Sequence, residues 1–178
     1  HVMALLYSRE PLLPAWADDT LMLPGDLDLR HPKFNSLRFV YLWWVLALHH
    51  AGDCDFFMKA DMDAYVDVPG VVRALRAFDP SEPVYTGVTT LSHGPNYKTW
   101  ESFAHGLGYV LSRGALRNAT KALRDCLRSL MTHRIESIED MVLGGCMRKA
   151  HLAPTDLDAP VAFDFRGGPA EVERIVSE

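Results

Sequence analysis

Asp61-Met62-Asp63 sets two carboxylates two residues apart, directly after the apolar stretch Asp55-Phe-Phe-Met-Lys-Ala60. Alternate residues of an extended backbone project from the same side. Oxygen ligands of that kind suit a hard divalent cation, Mg²⁺ or Mn²⁺, which would also hold phosphate oxygens. The competing reading is a turn between two strands, where Asp serves its own local hydrogen bonds. Glu136, Glu139 and Asp140 form a second acidic group, at the start of an expected helix. Ser137-x-x-Asp140 resembles a capping box, and the helix dipole favours acids there. A carboxylate in the same place could serve as general base, although spacing alone favours the structural role. Gly106-Leu107-Gly108-Tyr109 puts two glycines at a strand entry, where they admit the close approach of a ligand or mark a bulge. Tyr97, Trp100 and Phe103 precede them, suited either to stacking on sugar faces or to anchoring a loop.

Other chemistries are poorly served. Cys54, Cys126 and Cys146 form no CxxC, and of eight histidines only His49-His50 are close, which argues against zinc. Eighteen Lys plus Arg against 23 Asp plus Glu give a net charge of −5, without the basic stripe that nucleic acid requires. Hydrophobic residues at 48% and charged residues at 23% are globular values. The apolar run from Phe39 to Leu48 falls short of the roughly 20 residues that span a bilayer. Asn118-Ala119-Thr120 is an N-glycosylation sequon, meaningful only in a secretory compartment. The chain opens at His1 with neither methionine nor signal peptide and is expected to be cut from something longer.

The elements that must position these groups follow from periodicity. Val2–Tyr7 reads as a buried strand, with a short one near Leu21–Leu23. Ser36 to Gly52 reads as a helix buried on all sides, with Trp43-Trp44 as packing. Asp55–Ala60 reads as a strand, and Tyr65–Val68 as a shorter one. Pro69 opens a helix carrying Val71, Val72, Leu75 and Phe78. Val84–Val88 is the next strand, residues 91–104 a loop, and Leu107–Leu111 a strand running into Ser112. That serine is a good N-cap for a helix to about Leu130, with Leu116, Leu123 and Leu127 on its buried stripe. Another helix runs from Ile138 to about Ala150, and Phe163 and Phe165 mark a last strand or ordered loop. Strands alternating with helices indicate a layered α/β domain with helices on both faces of a sheet, and ligands in such folds gather at the carboxyl ends of strands.

Three segments, in order, resemble one family. Residues 55–66, DFFMKADMDAYV, are similar to the WF-x-K-A-D-D-D-T-Y segment of the β1,3-glycosyltransferases that include the core 1 galactosyltransferases and the Fringe proteins. His105-Gly-Leu-Gly-Tyr-Val-Leu-Ser112 with Ala115-Leu116 resembles their GGAGYVLS-x-x-AL segment. Glu139-Asp-Met-Val-Leu-Gly-Gly-Cys146 resembles their ED-x-x-x-G-x-C segment. The likeness covers about residues 33–165.

The resemblance implies a GT-A-like, Rossmann-like mixed sheet with helices on both faces, as a single domain over residues 1–178 whose N-terminal half is incomplete in this chain. It implies Mn²⁺, a UDP-sugar donor, and an inverting transfer of galactose or N-acetylglucosamine to a glycan or glycoprotein hydroxyl. By position, Asp63 is the metal-binding acid, Asp61 lies near the donor's ribose or sugar, Asp140 is the catalytic base, Arg38 stands about where the family has a lysine, and Gly106 joins the donor site. Cys126 and Cys146 match a family cysteine pair, which implies a disulfide and an oxidising compartment, the Golgi lumen, with any membrane segment outside this chain. Cys54 is left over. The sequence departs from the family at Met62, where the middle acid stands, and at Asp164, where the second metal ligand is a histidine. These departures motivate a rival reading, a non-catalytic relative acting as a binding module or folding helper. A metal-dependent phosphoryl hydrolase would explain the DxD alone and ranks last.

Overall fold

Successive residues of a strand face opposite sides, so the unbroken apolar run Tyr109, Val110, Leu111 requires a strand covered on both faces. That strand centres the sheet in the computed structural model, which describes residues 4–7, 20–23, 44, 47, 49, 54–61, 64–93, 100–132, 139–157 and 163–164. In chain order the elements are β1 (Ala4–Tyr7), β2 (Thr20–Leu23), β3 (Phe56–Lys59), β4 (Ala64–Tyr65), α1 (Val68–Leu75), β5 (Tyr85–His93), β6 (Trp100–Ser112), α2 (Arg113–Thr132), α3 (Glu139–Lys149), β7 (Thr155–Asp156) and β8 (Phe163–Asp164). Trp44, Ala47 and His49 are helical, within the stretch expected to be a buried helix. The rest of that stretch, with Trp43 and Arg38, lies outside the described residues.

The main sheet has the order β3-β6-β5-β7. β6 runs antiparallel to β3 and β5, and β7 is parallel to β5. Smaller pairs form between β1 and β2, parallel, and between β4 and β8, antiparallel. On one face of the sheet Tyr85, Tyr109 and Leu111 pack with Leu116 and Leu123 of α2, Leu143 and Met147 of α3, and Trp44. On the other, Val110, Phe56 and Met58 pack with Val71 and Leu75 of α1 and with Leu157. Helices therefore cover both faces, as the alternation of strands and helices implies. Cys126 and Cys146 form a disulfide from α2 to α3 with 20 residues of separation. A loop of that size is worth about 3 kcal/mol of chain entropy.

Three boundaries depart from the sequence expectation. Residues 91–104 were expected as a loop, but β5 and β6 pair through that region, from Thr89↔Ala104 to His93↔Trp100. Phe103 is buried there, in contact with α3, where a Cβ on Gly144 would overlap it. It is thus a core residue, and cross-strand pairing outweighs the polar composition of the segment. Tyr97 lies outside the described residues. The strand expected at Tyr65–Val68 is confined to Ala64–Tyr65, because the Asp67 carboxylate accepts the Gly70 N–H at 3.0 Å and starts α1 at Val68. That helix ends at Leu75, with Phe78 in the following turn.

Ser112 joins strand to helix as its position in the sequence implies. Its hydroxyl accepts the Ala115 N–H at 3.0 Å and the Val84 N–H at 2.9 Å while donating to the Glu82 carbonyl at 2.5 Å. All three partners lose a bond together in Ser112→Ala. Urea unfolding should register a loss of about 2–3 kcal/mol, above the usual cost of a missing cap. A loss under about 1 kcal/mol would mean that the serine only caps α2.

Candidate active site

A lysine inside an apolar strand must be answered by carboxylates, because an ammonium is almost never buried alone. Lys59 ends β3 opposite Tyr109 of β6. Its Nζ pairs with Asp61 Oδ1 and, at 2.8 Å, with Glu139 Oε2. Glu139 is the first residue of α3, and its other oxygen accepts the Tyr109 hydroxyl at 2.9 Å. The Lys59 ammonium also lies 5.6 Å from the centre of the Tyr109 ring, within reach of a cation–π attraction. Two strands and a helix N-terminus are thereby joined through one cation.

Gly106 joins the same elements through its backbone. β6 spends four residues, 105–108, where β5 spends only Val88, since Gly87 pairs with Tyr109 and Thr89 with Ala104. This excursion is a bulge, a device that re-aims backbone beside functional sites. The Gly106 carbonyl accepts the Asp61 N–H at 3.0 Å. Its N–H donates to Asp140 Oδ2 at 2.8 Å. A Cβ at this position would stand 2.5 Å from Asp61 Oδ2 and 3.2 Å from its Cγ, so only glycine fits without displacing that carboxylate.

Asp140 is 4% exposed, and its Oδ1 accepts the Met141 N–H at 2.8 Å. Each carboxylate oxygen keeps a further lone pair for an incoming hydroxyl. Burial lowers the Lys59 pKa, but attraction to Glu139 and hydrogen bonds to Asp61 and Glu139 outweigh it, and the net shift is upward. Burial raises the Glu139 pKa, and Lys59 and the Tyr109 hydroxyl offset this only in part. The two shifts favour charge on the lysine and oppose it on the glutamate. Tyr109 is held well above the ordinary phenol value, chiefly by burial, and donates its proton rather than losing it.

Asp61, Gly106 and Asp140 are therefore brought together. Asp164 is the strand partner of Ala64, three residues after Asp61 in the chain. Asp63, Met62, Arg38, Glu136 and Ser137 lie outside the described residues. Among the described residues no group of three or more His, Cys, Asp or Glu is placed to hold a metal. Sequence reasoning assigned no role to Lys59 or to the Tyr109 hydroxyl, and read Glu139 only as one acid of the helix-start group. The available signal was Lys59 itself, a charge among Phe56, Phe57 and Met58, two residues before Asp61 on the same side of the strand.

The Fringe-like family model matches residues 41–158, which include the Lys59–Asp61 strand end, the Gly106 excursion and Asp140. The chain belongs to the Fringe-like family. Chondroitin sulfate synthase 3 of Mus musculus is 29% identical over 152 residues, 82% of this chain and 16% of the relative. N-acetyllactosaminide beta-1,3-N-acetylglucosaminyltransferase 4 of Homo sapiens is 27% identical over 144 residues, covering 71% and 36%. Glycoprotein-N-acetylgalactosamine 3-beta-galactosyltransferase 1 of Xenopus laevis is 30% identical over 114 residues, covering 60% and 29%. This Fringe-like chain thus spans between 16% and 36% of these relatives' lengths.

Removing the cation should expose the burial of Glu139. Lys59→Met is expected to cost about 3 kcal/mol at pH 7, the scale for breaking a largely buried ion pair. Without Lys59 the Glu139 pKa rises further above its unfolded value. Stability linked to that proton is full below the unfolded pKa and is lost as pH rises through the folded one. The deficit of the variant against the parent should therefore shrink between pH 7 and pH 5 in urea titrations. An equal deficit at both pH values would contradict it.

Proposed function

We propose that this chain carries the catalytic core of a UDP-sugar-dependent, inverting β1,3-glycosyltransferase with a GT-A-like domain. The transferred sugar is of the galactose or N-acetylglucosamine class, and the acceptor is a hydroxyl of a glycan or glycoprotein. The observation that carries this reading is the link through Gly106, which ties the strand-end acid Asp61 to the buried helix-start acid Asp140. Membership of the Fringe-like family supports it, as do relatives whose names specify 1,3-transfer of N-acetylglucosamine or galactose.

In this reading Asp140, fixed by two backbone N–H groups, accepts the proton of the acceptor hydroxyl. The hydroxyl oxygen attacks the anomeric carbon from the face opposite the nucleotide. The bond to the diphosphate breaks with its electron pair on the leaving oxygen, which inverts the centre. Asp61 and Arg38 bind the donor, beside Gly106. Asp63 and Asp164 would hold Mn²⁺, which supplies charge neutralisation at the departing diphosphate. The pairing of Asp164 with Ala64 and the oxygen-only donor set both suit that ion.

The Cys126–Cys146 disulfide, and the sequon at Asn118 on the exposed side of α2, support a secretory compartment, the Golgi lumen in this reading. Among the described residues no helix is long and apolar enough to cross a membrane.

Turnover of UDP-sugars with Mn²⁺, read as donor hydrolysis or transfer, tests the proposal. Asp140→Asn should lower it by about 10²- to 10⁴-fold with donor binding retained, as expected for a lost general base. Asp164→Ala should weaken Mn²⁺-dependent UDP binding in calorimetry. Parental turnover in Asp140→Asn would remove Asp140 from the role of base. Metal-independent UDP binding would remove Mn²⁺.

A further inference from the structure

Lys59, Glu139 and Tyr109 are the polar groups at the site that this mechanism leaves unused. They are also the groups that tie the three site elements to one another. We infer that Lys59 and Glu139 act as a positioning pair, holding the first turn of α3 against the end of β3 so that Asp140 keeps a fixed separation from Asp61. The inference rests on the catalytic reading for its consequence in turnover, but its geometry stands apart from that reading.

Three observations carry it. Lys59 Nζ touches carboxylates on both sides of the divide, Asp61 after β3 and Glu139 at the start of α3. Glu139 is adjacent in sequence to Asp140, so fixing its side chain fixes the backbone turn that presents the base. Tyr109 takes the second Glu139 oxygen, which leaves that carboxylate little freedom to rotate away. Among the described residues the Asp140 side chain reaches another element through the single Gly106 N–H, and one hydrogen bond cannot by itself fix both distance and orientation.

A pair with a purely structural role predicts that activity follows stability. A positioning pair predicts that the two separate. In Lys59→Met/Glu139→Gln the two more buried charges are removed together, and the Asp61 carboxylate that loses its cation is half-exposed and solvated by water, so the melting temperature should return to within about 3 °C of the parent. Asp140 is nevertheless released. Hydrogen exchange at the Gly106 amide, which donates to Asp140, should quicken by about tenfold or more in this double variant. UDP-sugar turnover should stay about 10²-fold down, as for a base displaced by an ångström. Glu139→Asp, which keeps the charge but shortens its reach, should quicken the same amide, and Lys59→Arg should leave it near the parental rate. The two single-site variants decide the matter if the double variant does not fold. Parental exchange at Gly106 in the double variant, or in Glu139→Asp if the double does not fold, would overturn the inference. A parent chain that turns over no UDP-sugar defeats the catalytic reading instead, and amide exchange then decides the positioning role on its own.

Discussion

A charge taken out of water must be answered within a few ångströms, and in this fold the charge is Lys59. Its ammonium sits at the junction of a strand end, a bulged central strand and a helix start. Each of those elements contributes one group to it: Asp61 from the first, Tyr109 from the second, Glu139 from the third. The two apolar layers decide that β3, β6 and α3 exist and pack. The half-buried Lys59 ammonium decides their relative setting to within hydrogen-bond tolerance, because dispersion and burial are too weakly directional to do so.

The bulge at residues 105–108 is what makes that junction possible. In unbroken register, β6 would pair evenly with β5 and turn its peptide groups to that neighbour. The extra residues free the Gly106 peptide, which then spans from Asp61 on one side to Asp140 on the other. Its missing side chain is required by the Asp61 carboxylate. Two glycines at a strand entry thus carry a backbone role.

Much of this was legible in the sequence, and the exceptions have physical causes. Apolar periodicity located α2, α3, β3 and the core of β6, because those elements bury a continuous stripe or face. The serine before α2 announced its cap. The long β5–β6 hairpin was hidden because its outer half is polar and rich in turn-forming residues, and cross-strand pairing leaves no local signature there. Asp61 and Gly106 stood out by residue type and place at strand ends, and motif resemblance gave them and Asp140 their expected roles, whereas spacing alone favoured a capping role for Asp140. Lys59 and Glu139 are 80 residues apart, so their pairing depends on sheet topology that no local pattern encodes.

Consider last how α3 is fastened. Near its C-terminal end Cys146 is covalently tied to α2, and Arg148 donates to the Ser102 carbonyl at 2.6 Å while pairing with Glu101. Its opposite end, at Glu139 and Asp140, has no covalent tie and is set by polar contacts ahead of the packed Val142 and Leu143. A rod pinned at one end pivots, and with a rise of 1.5 Å per residue Asp140 lies about 9 Å from the pin at Cys146. Rocking by about 5° therefore sweeps the carboxylate through about 0.8 Å, nearly the displacement that separates productive from idle geometry. The covalent anchor sets the fulcrum, and the distal polar contacts set the amplitude.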